Sequence, residues 1–262
     1  MVITSAHNPK IQQIRALLAR RQERQKAQFF VVEGVRLVEE ALHSGWQPQS
    51  VFFTEQLSLR GKNLLEGFSS SGVEGEEITP QLMDSLSETE ASQGILAIFT
   101  LRSLPLPGSL NFVLILDSLR DPGNLGTLLR TALAAGVQAV LLTSGTVDPF
   151  SPKVLRSGMG AHFRLPIFPS SWDEIQAICR VNANPPLNIF LAEGHRGTPC
   201  WELNLRQPLA LIVGSEAEGA SDQARRLANG LVKIPMPGGS ESLNAAVAGS
   251  ILIFEIVRQR FA

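Results

Sequence analysis

The sequence predicts an α/β protein of two units, a small one over residues 1–100 and a larger parallel-sheet unit over 111–262. Three observations carry this. Short apolar runs alternate with helical patterns along all 262 residues. The Pro-rich, aperiodic stretch Arg102-Ser-Leu-Pro-Leu-Pro-Gly-Ser breaks that alternation and reads as a linker over 101–110. After it, Phe112–Leu116 is a continuous apolar run, the mark of a strand buried on both faces.

The elements follow in order. Asn8-Pro9 reads as a helix start, with Asn8 as N-cap, and Ile11, Ile14, Leu17 and Leu18 recur at helical spacing. Phe29–Val32 is β-prone, Val35–Leu42 is an amphipathic helix closed by Gly45, and a strand is expected near Val51–Thr54. A helix near Leu59–Phe68, a strand near Ile78, a short helix capped by Thr79-Pro80 and a strand at Gly94–Thr100 complete the first unit. In the second, a helix over Leu125–Ala135 follows the first strand. Strands are then expected at Ala139–Leu142, Asn188–Ala192, Ala210–Val213 and Leu231–Ile234, and a helix from Ser242 to Phe261. Such alternation gives a parallel sheet with helices on both faces.

Composition narrows the class. Apolar residues make up 44% and charged residues 18%, which suits buried cores rather than disorder. No apolar run is long enough to span a bilayer, and the N-terminus lacks a secretory pattern, so no membrane association and a cytoplasmic location are expected. Cys179 and Cys200 are too few for a disulfide framework and offer no metal-ligand spacing. The net charge of −1 hides an asymmetry, because residues 1–30 carry +5 and leave −6 for the rest. This local basic cluster is either a polyanion contact or an ordinary solvated helix face.

Three polar segments fall where a parallel sheet exposes its carboxyl edge. The first is Asp117 to Arg130, where Asn124 and Gly126 start a helix and Arg130 follows one to two turns on. The second is Leu211 to Ser221, a buried strand running into Gly214 with Glu216 at the next turn. The third is Ile234 to Asn244, a Pro/Gly loop in which Ser242 begins a helix with Asn244 in its first turn. Taken singly, each is compatible with a plain strand–turn–helix. GxGxxG, Walker A, HExxH, paired CxxC and GxSxG patterns are all missing, so common dinucleotide, kinase and hydrolase readings lose support.

Taken together and in order, Asn124-x-Gly126-x-x-x-Arg130, Gly214-x-Glu216-x-x-Gly219 and Ile234-Pro-Met236 through Ser242-Leu-Asn244 resemble the three motifs of the SpoU (TrmH) RNA 2′-O-ribose methyltransferases. Asp148-Pro-Phe-Ser-Pro-Lys153 and Arg156-Ser-Gly-Met-Gly-Ala161 also look like family sequence. Ile3-Thr-Ser-x-x-Asn8-Pro9 and Phe30-Val-Val-Glu-Gly34 resemble the substrate-binding domain often fused ahead of it, which implies a fold like ribosomal protein L30e. Ala217 stands where the family commonly has Gly, and Ala246 where many members have Ser.

The resemblance implies a C-terminal SPOUT domain with a trefoil knot, a homodimer, and S-adenosylmethionine as methyl donor to a structured RNA, rRNA before tRNA. It implies Arg130, Asn124, Glu216, Ser242 and Asn244 as catalytic residues, and cofactor contacts from Gly214, Ile234, Met236 and Leu243, with Thr143 lining the pocket. RNA is expected to meet Arg15, Arg20, Arg21 and Arg24 first, then Lys153 and Arg156 near the site. The chain has no tyrosine and shows no aromatic platform, so recognition of RNA shape is expected. The alternatives are a non-catalytic RNA-binding ribosome assembly factor with the same fold, or a different α/β enzyme acting on a nucleotide.

Overall fold

The computed structural model describes residues 2–70, 72–88, 92–215 and 219–261. Residues up to 102 form α1 (Pro9–Ala19), α2 (Arg21–Ala27), β1 (Phe29–Glu33), α3 (Val35–His43), β2 (Pro48–Phe53), α4 (Leu59–Ser70), β3 (Gly75–Glu77), α5 (Pro80–Leu86) and β4 (Ile95–Thr100). There follow β5 (Phe112–Asp117), α6 (Pro122–Ala134), β6 (Ala139–Leu142), α7 (Pro152–Gly158), β7 (Ile167–Pro169), α8 (Trp172–Ala177) and β8 (Asn188–Ala192). The chain ends with β9 (Thr198–Pro199), β10 (Leu209–Gly214), α9 (Asp222–Leu227), β11 (Gly230–Lys233) and α10 (Ala245–Phe261).

Two compact units result, one from Met1–Arg102 with Phe150–Phe163, the other from Ser103–Pro149 with Arg164–Ala262. The expectation of an unbroken second unit from residue 111 thus differs from the structure by one excursion. In the first unit the strands order as β1-β4-β2-β3, antiparallel except for β2 with β3. Side chains alternate across each strand, so β1 builds two cores at once. Val31 packs with Ile11, Ile14, Leu17, Leu82 and Met83. Phe30, on the other face, joins Trp46, Phe99, Phe150 and Phe163 in an aromatic cluster with ring centroids 4.9 to 6.5 Å apart. Trp46 Nε1 donates to the Phe163 carbonyl at 3.0 Å. Two phenylalanines and one buried indole partner therefore hold Phe150–Phe163 in the first unit.

One sequence expectation for this unit is corrected. Asn8 does cap α1, accepting from the Lys10 amide at 2.9 Å. Arg24, however, is not available to a polyanion. The chain turns extended at Arg20 between α1 and α2, which folds Arg24 inward to 4% exposure. Its Nη1 donates to the Leu17 carbonyl at 2.5 Å and the Leu18 carbonyl at 3.1 Å, satisfying acceptors that the end of α1 leaves open.

The second unit is a seven-stranded sheet of order β7-β6-β5-β10-β8-β11-β9, parallel throughout. Alternation again divides its faces. Ala210 and Ile212 of β10 pack with Ile175, Cys179, Ala224 and Leu227 of the α8–α9 side. Val213 faces α10, where Gly249 lies so close that an added Cβ would stand 2.6 Å from Leu128 and 3.3 Å from Val213. That glycine lets α10 settle on both α6 and β10. From β5 the chain builds outward through β6 and β7, then crosses to β8 and returns β10 beside β5. The carboxyl edge next to β5 and β10 is therefore a topological switch point.

Arg24→Ala is expected to destabilise the fold by about 1–3 kcal/mol through the lost bonds to α1 carbonyls. Arg20→Ala, at an exposed position, should stay within about 0.5 kcal/mol of wild type. Urea unfolding of the two variants checks this, and equal midpoints would return Arg24 to the surface.

Candidate active site

Strands β8, β10 and β11 end at one pocket of about 250 Å³, walled by Ala192 and Gly194 after β8, Val213 and Gly214 of β10, and Met236 and Leu243 of the loop after β11. Ala245, Ala248 and Leu252 of α10 close its apolar side. Gly214 is the tightest point. A Cβ there would meet the backbone of Gly219 and Ala220 at 2.9 Å, so no other residue fits. The chain that leaves at Ser215 returns at Gly219, with mutual amide–carbonyl bonds of 3.2 and 2.9 Å. Gly219 takes a left-handed φ of 68° to complete this turn. Glu216 lies between them, outside the described residues.

The switch point is held by Asp117, which is 1% exposed at the end of β5. Its Oδ2 accepts from the Ser221 amide at 2.7 Å and its Oδ1 from Thr143 Oγ1 at 3.1 Å. Thr143 Oγ1 also accepts from the Ser118 amide at 2.9 Å. Thr143 is accordingly a buried brace, and it is not among the residues lining the pocket, contrary to expectation. Sequence reading assigned Asp117 no role, although a carboxylate directly after five buried apolar residues is a readable signal. Glu193 gave a similar signal after β8; it lines the pocket and pairs with Arg225.

The first and third motifs meet directly. Asn244 Nδ2 donates to Asn124 Oδ1 at 3.1 Å, across 120 residues of chain. Both residues serve helix starts, but not as expected. Asp121 is the N-cap of α6, accepting from the Asn124 amide at 2.7 Å, so Asn124 lies inside the first turn. Asn244 caps α10 by accepting from the Ala246 and Val247 amides at 3.0 and 3.2 Å, so the helix starts at Ala245 and not at Ser242. Ser242 stands in the pocket wall with Ile234, Met236 and Leu243. Arg130 is exposed on α6, six residues beyond Asn124, with no ion pair or hydrogen bond among the described residues.

The basic residues divide. Arg20 and Arg21 are exposed, whereas Arg15 is half-buried and donates to Ser85 Oγ at 3.0 Å. Lys153 is exposed on α7, but Arg156 spends its charge on Glu88 at 2.9 Å and Glu33 at 4.0 Å. Both belong to the first unit, whereas the pocket is built from residues of the second. Burial pushes the Cys179 thiol up to about 12 and raises that of Cys200, so neither is a nucleophile at neutral pH. Among the described residues no group of side chains could hold a metal ion, and no helix is long and apolar enough to cross a membrane.

This arrangement can take a nucleoside-like ligand on backbone and apolar walls, with Ser242 in the wall and Asn244, bonded to Asn124, between the lining residues Leu243 and Ala245. It matches known proteins. Residues 111–254 match the SpoU rRNA methylase family, and residues 8–97 match the MRM3-like substrate-binding domain. The chain is 33% identical to the Bacillus subtilis 23S rRNA guanosine 2′-O-methyltransferase RlmP over 97% of its own length and 98% of that protein. It is 31% identical to the 23S rRNA uridine 2′-O-methyltransferase of Streptomyces viridochromogenes, covering 98% and 92%. The solved structure of the SpoU methyltransferase AviRb from Streptomyces viridochromogenes with AdoMet superposes with a TM-score of 0.88 at 30% identity, covering 98% of this chain and 99% of that one. The chain therefore belongs to the SpoU rRNA methylase family of S-adenosylmethionine-dependent RNA 2′-O-methyltransferases.

Proposed function

We propose that this chain methylates a ribose 2′-hydroxyl of large-subunit rRNA, and that Arg130, Asn124, Ser242 and Asn244 form the reacting edge of its cofactor pocket; Glu216, outside the described residues, is assigned to the same set by its motif alone. The observation that carries this is the Asn124–Asn244 bond, which joins the first motif to the third at the pocket that the second motif walls. The large-subunit target rests on the 23S rRNA activities in the names of the two relatives.

The pocket suits S-adenosylmethionine. Gly194, Gly214 and Gly219 bring backbone to its wall, and Val213, Met236, Leu243 and Leu252 offer apolar contact. When bound, the cofactor supplies an electrophilic methyl group on a sulfonium. The chain's own work is to align the ribose oxygen behind that methyl, so that an O–C bond forms as the S–C bond breaks and the hydroxyl proton passes to water. We assign Arg130 no base role, because a guanidinium presents N–H donors and no acceptor. It acts as a cation that grips the adjoining phosphate and steadies charge developing on the 2′-oxygen. Asn244, fixed by the α10 amides, holds Asn124 and with it the start of α6, the helix that carries Arg130.

Three further readings belong with this one. We propose a trefoil knot in the second unit, a reading supported by the convergence of the chain at Ser215 and Gly219 with the 234–244 loop on one pocket. A homodimer is supported by α10, where Val247, Ile251, Phe254 and Phe261 are 48, 42, 49 and 89% exposed at helical spacing. A cytoplasmic location fits an enzyme of rRNA.

The function is tested by transfer of labelled methyl from S-adenosylmethionine to an unmodified 23S rRNA transcript, followed by alkaline hydrolysis. A 2′-O-methyl dinucleotide is expected, since the blocked hydroxyl cannot assist cleavage; absence of label from RNA would overturn the reading. Arg130→Ala is expected to lower turnover at least about 100-fold. Cofactor affinity by calorimetry should hold, and an active variant would remove Arg130 from the mechanism. Arg20→Ala with Arg21→Ala should reduce the salt slope of RNA binding by about 2, and an unchanged slope makes them a solvated face. Ile251→Asp with Phe254→Asp is expected to yield monomers in sedimentation, whereas an unaltered dimer would move the interface off α10.

A further inference from the structure

A second groove, of about 510 Å³, opens against the cofactor pocket, and the two share Gly194, His195, Ile234 and Met236 as common walls. Trp201 and Lys233 form much of the rest, with Pro199 and Pro237. Trp201 is 57% exposed, although the backbone around it is firmly held. Pro199 pairs with Lys233 at the sheet edge, the Cys200 amide donates to the Lys233 carbonyl at 2.9 Å, and Gln259 Nε2 donates to the Cys200 carbonyl at 3.2 Å. The indole is thus a large apolar surface presented to water on a rigid mount, which ordinary packing removes.

Charge says what fits there. The described residues lining the groove include Lys233 and no carboxylate, whereas the adjoining pocket carries Glu241, and Glu193 paired with Arg225. A cationic methyl donor is favoured by the second environment and not by the first. An anionic strand with flat bases is favoured by the first. We propose that the groove holds a nucleotide of the RNA strand beside the one being methylated, its base stacked on Trp201 and its phosphate facing Lys233. The expectation that the chain lacks an aromatic platform came from a sequence in which Trp201 follows a two-residue edge strand and lies on no periodic face. This inference rests on the methyltransferase reading and deepens it by assigning the strand a path.

The test compares wild type with Trp201→Ala, Trp201→Phe and Lys233→Gln on an unmodified 23S rRNA transcript. Trp201→Ala is expected to raise the KM for RNA about tenfold, with kcat and the cofactor dissociation constant near wild type. Phe should restore most of the affinity, because it keeps a stacking face, and Gln should lower the salt slope of filter binding by about 1. Wild type run in parallel separates the two readings, since its failure to methylate condemns the function and leaves the groove to be judged by filter binding. An unchanged KM and filter-binding affinity for Trp201→Ala overturns the proposal. So does a weakened cofactor affinity, which would give the groove to the cofactor, or an altered sedimentation coefficient, which would give it to a second copy of the chain.

Discussion

The pocket depends on one buried carboxylate. Asp117 sits at the end of the central strand β5, beside Gly214 in the register of β10, and is almost wholly removed from water. A buried charge is tolerated only when its oxygens are occupied. Here one oxygen fixes the chain after β10 through the Ser221 amide, and the other fixes the chain after β6 through Thr143. Ser221 in turn caps α9, accepting from the Ala224 amide at 3.2 Å. Both ends of the turn that carries the second motif are therefore anchored, at Gly214 by the sheet and at Ser221 by Asp117.

A second constraint places the other two motifs. α6 and α10 touch through Leu128 and Gly249, and through Thr131 Oγ1 and Ser250 Oγ at 3.1 Å. A side chain at residue 249 would push the helices apart, and the Asn244–Asn124 bond lies at the N-terminal end of the same contact. Helix packing in this unit is thus a positioning device, because the distance between two site asparagines is set by a glycine one turn further along α10. The same logic explains why Asn244 works through its capping bonds. Its carboxamide oxygen is committed to two α10 amides, which orients its nitrogen toward Asn124.

Much of this was legible before any coordinates. Runs such as Ala139–Leu142 and Asn188–Ala192 are strands at the residues their apolar content marks, because a doubly covered parallel strand leaves little room for polar residues. The motifs of the catalytic unit were legible as a set. What local pattern could not supply was partnership at a distance. Arg24 reads as one more surface cation until the break at Arg20 turns it onto the α1 carbonyls. Phe150 and Phe163 sit within family sequence of the catalytic unit, yet pack on Phe30 because that strand face needs aromatic cover. Asn244 looks like a residue inside a helix because Ser242, two residues earlier, is an equally good N-cap by type, and local pattern does not choose between them.

Charge placement then separates two ligands of opposite sign within one short edge of sheet. With a net charge of −1 the chain has no global field to gather a polyanion, so attraction must be local. The cations proposed for it are the exposed Arg20 and Arg21 in the first unit, and Arg130 and Lys233 in the second. The carboxylates Glu193 and Glu241 stay on the cofactor side of the shared wall formed by His195 and Met236. On the proposed reading, a nucleotide in the groove beside Lys233 lies against described lining residues that include no carboxylate. Catalysis by position requires that both ligands reach the same edge without competing for it, and two unlike cavities with a common wall satisfy that requirement.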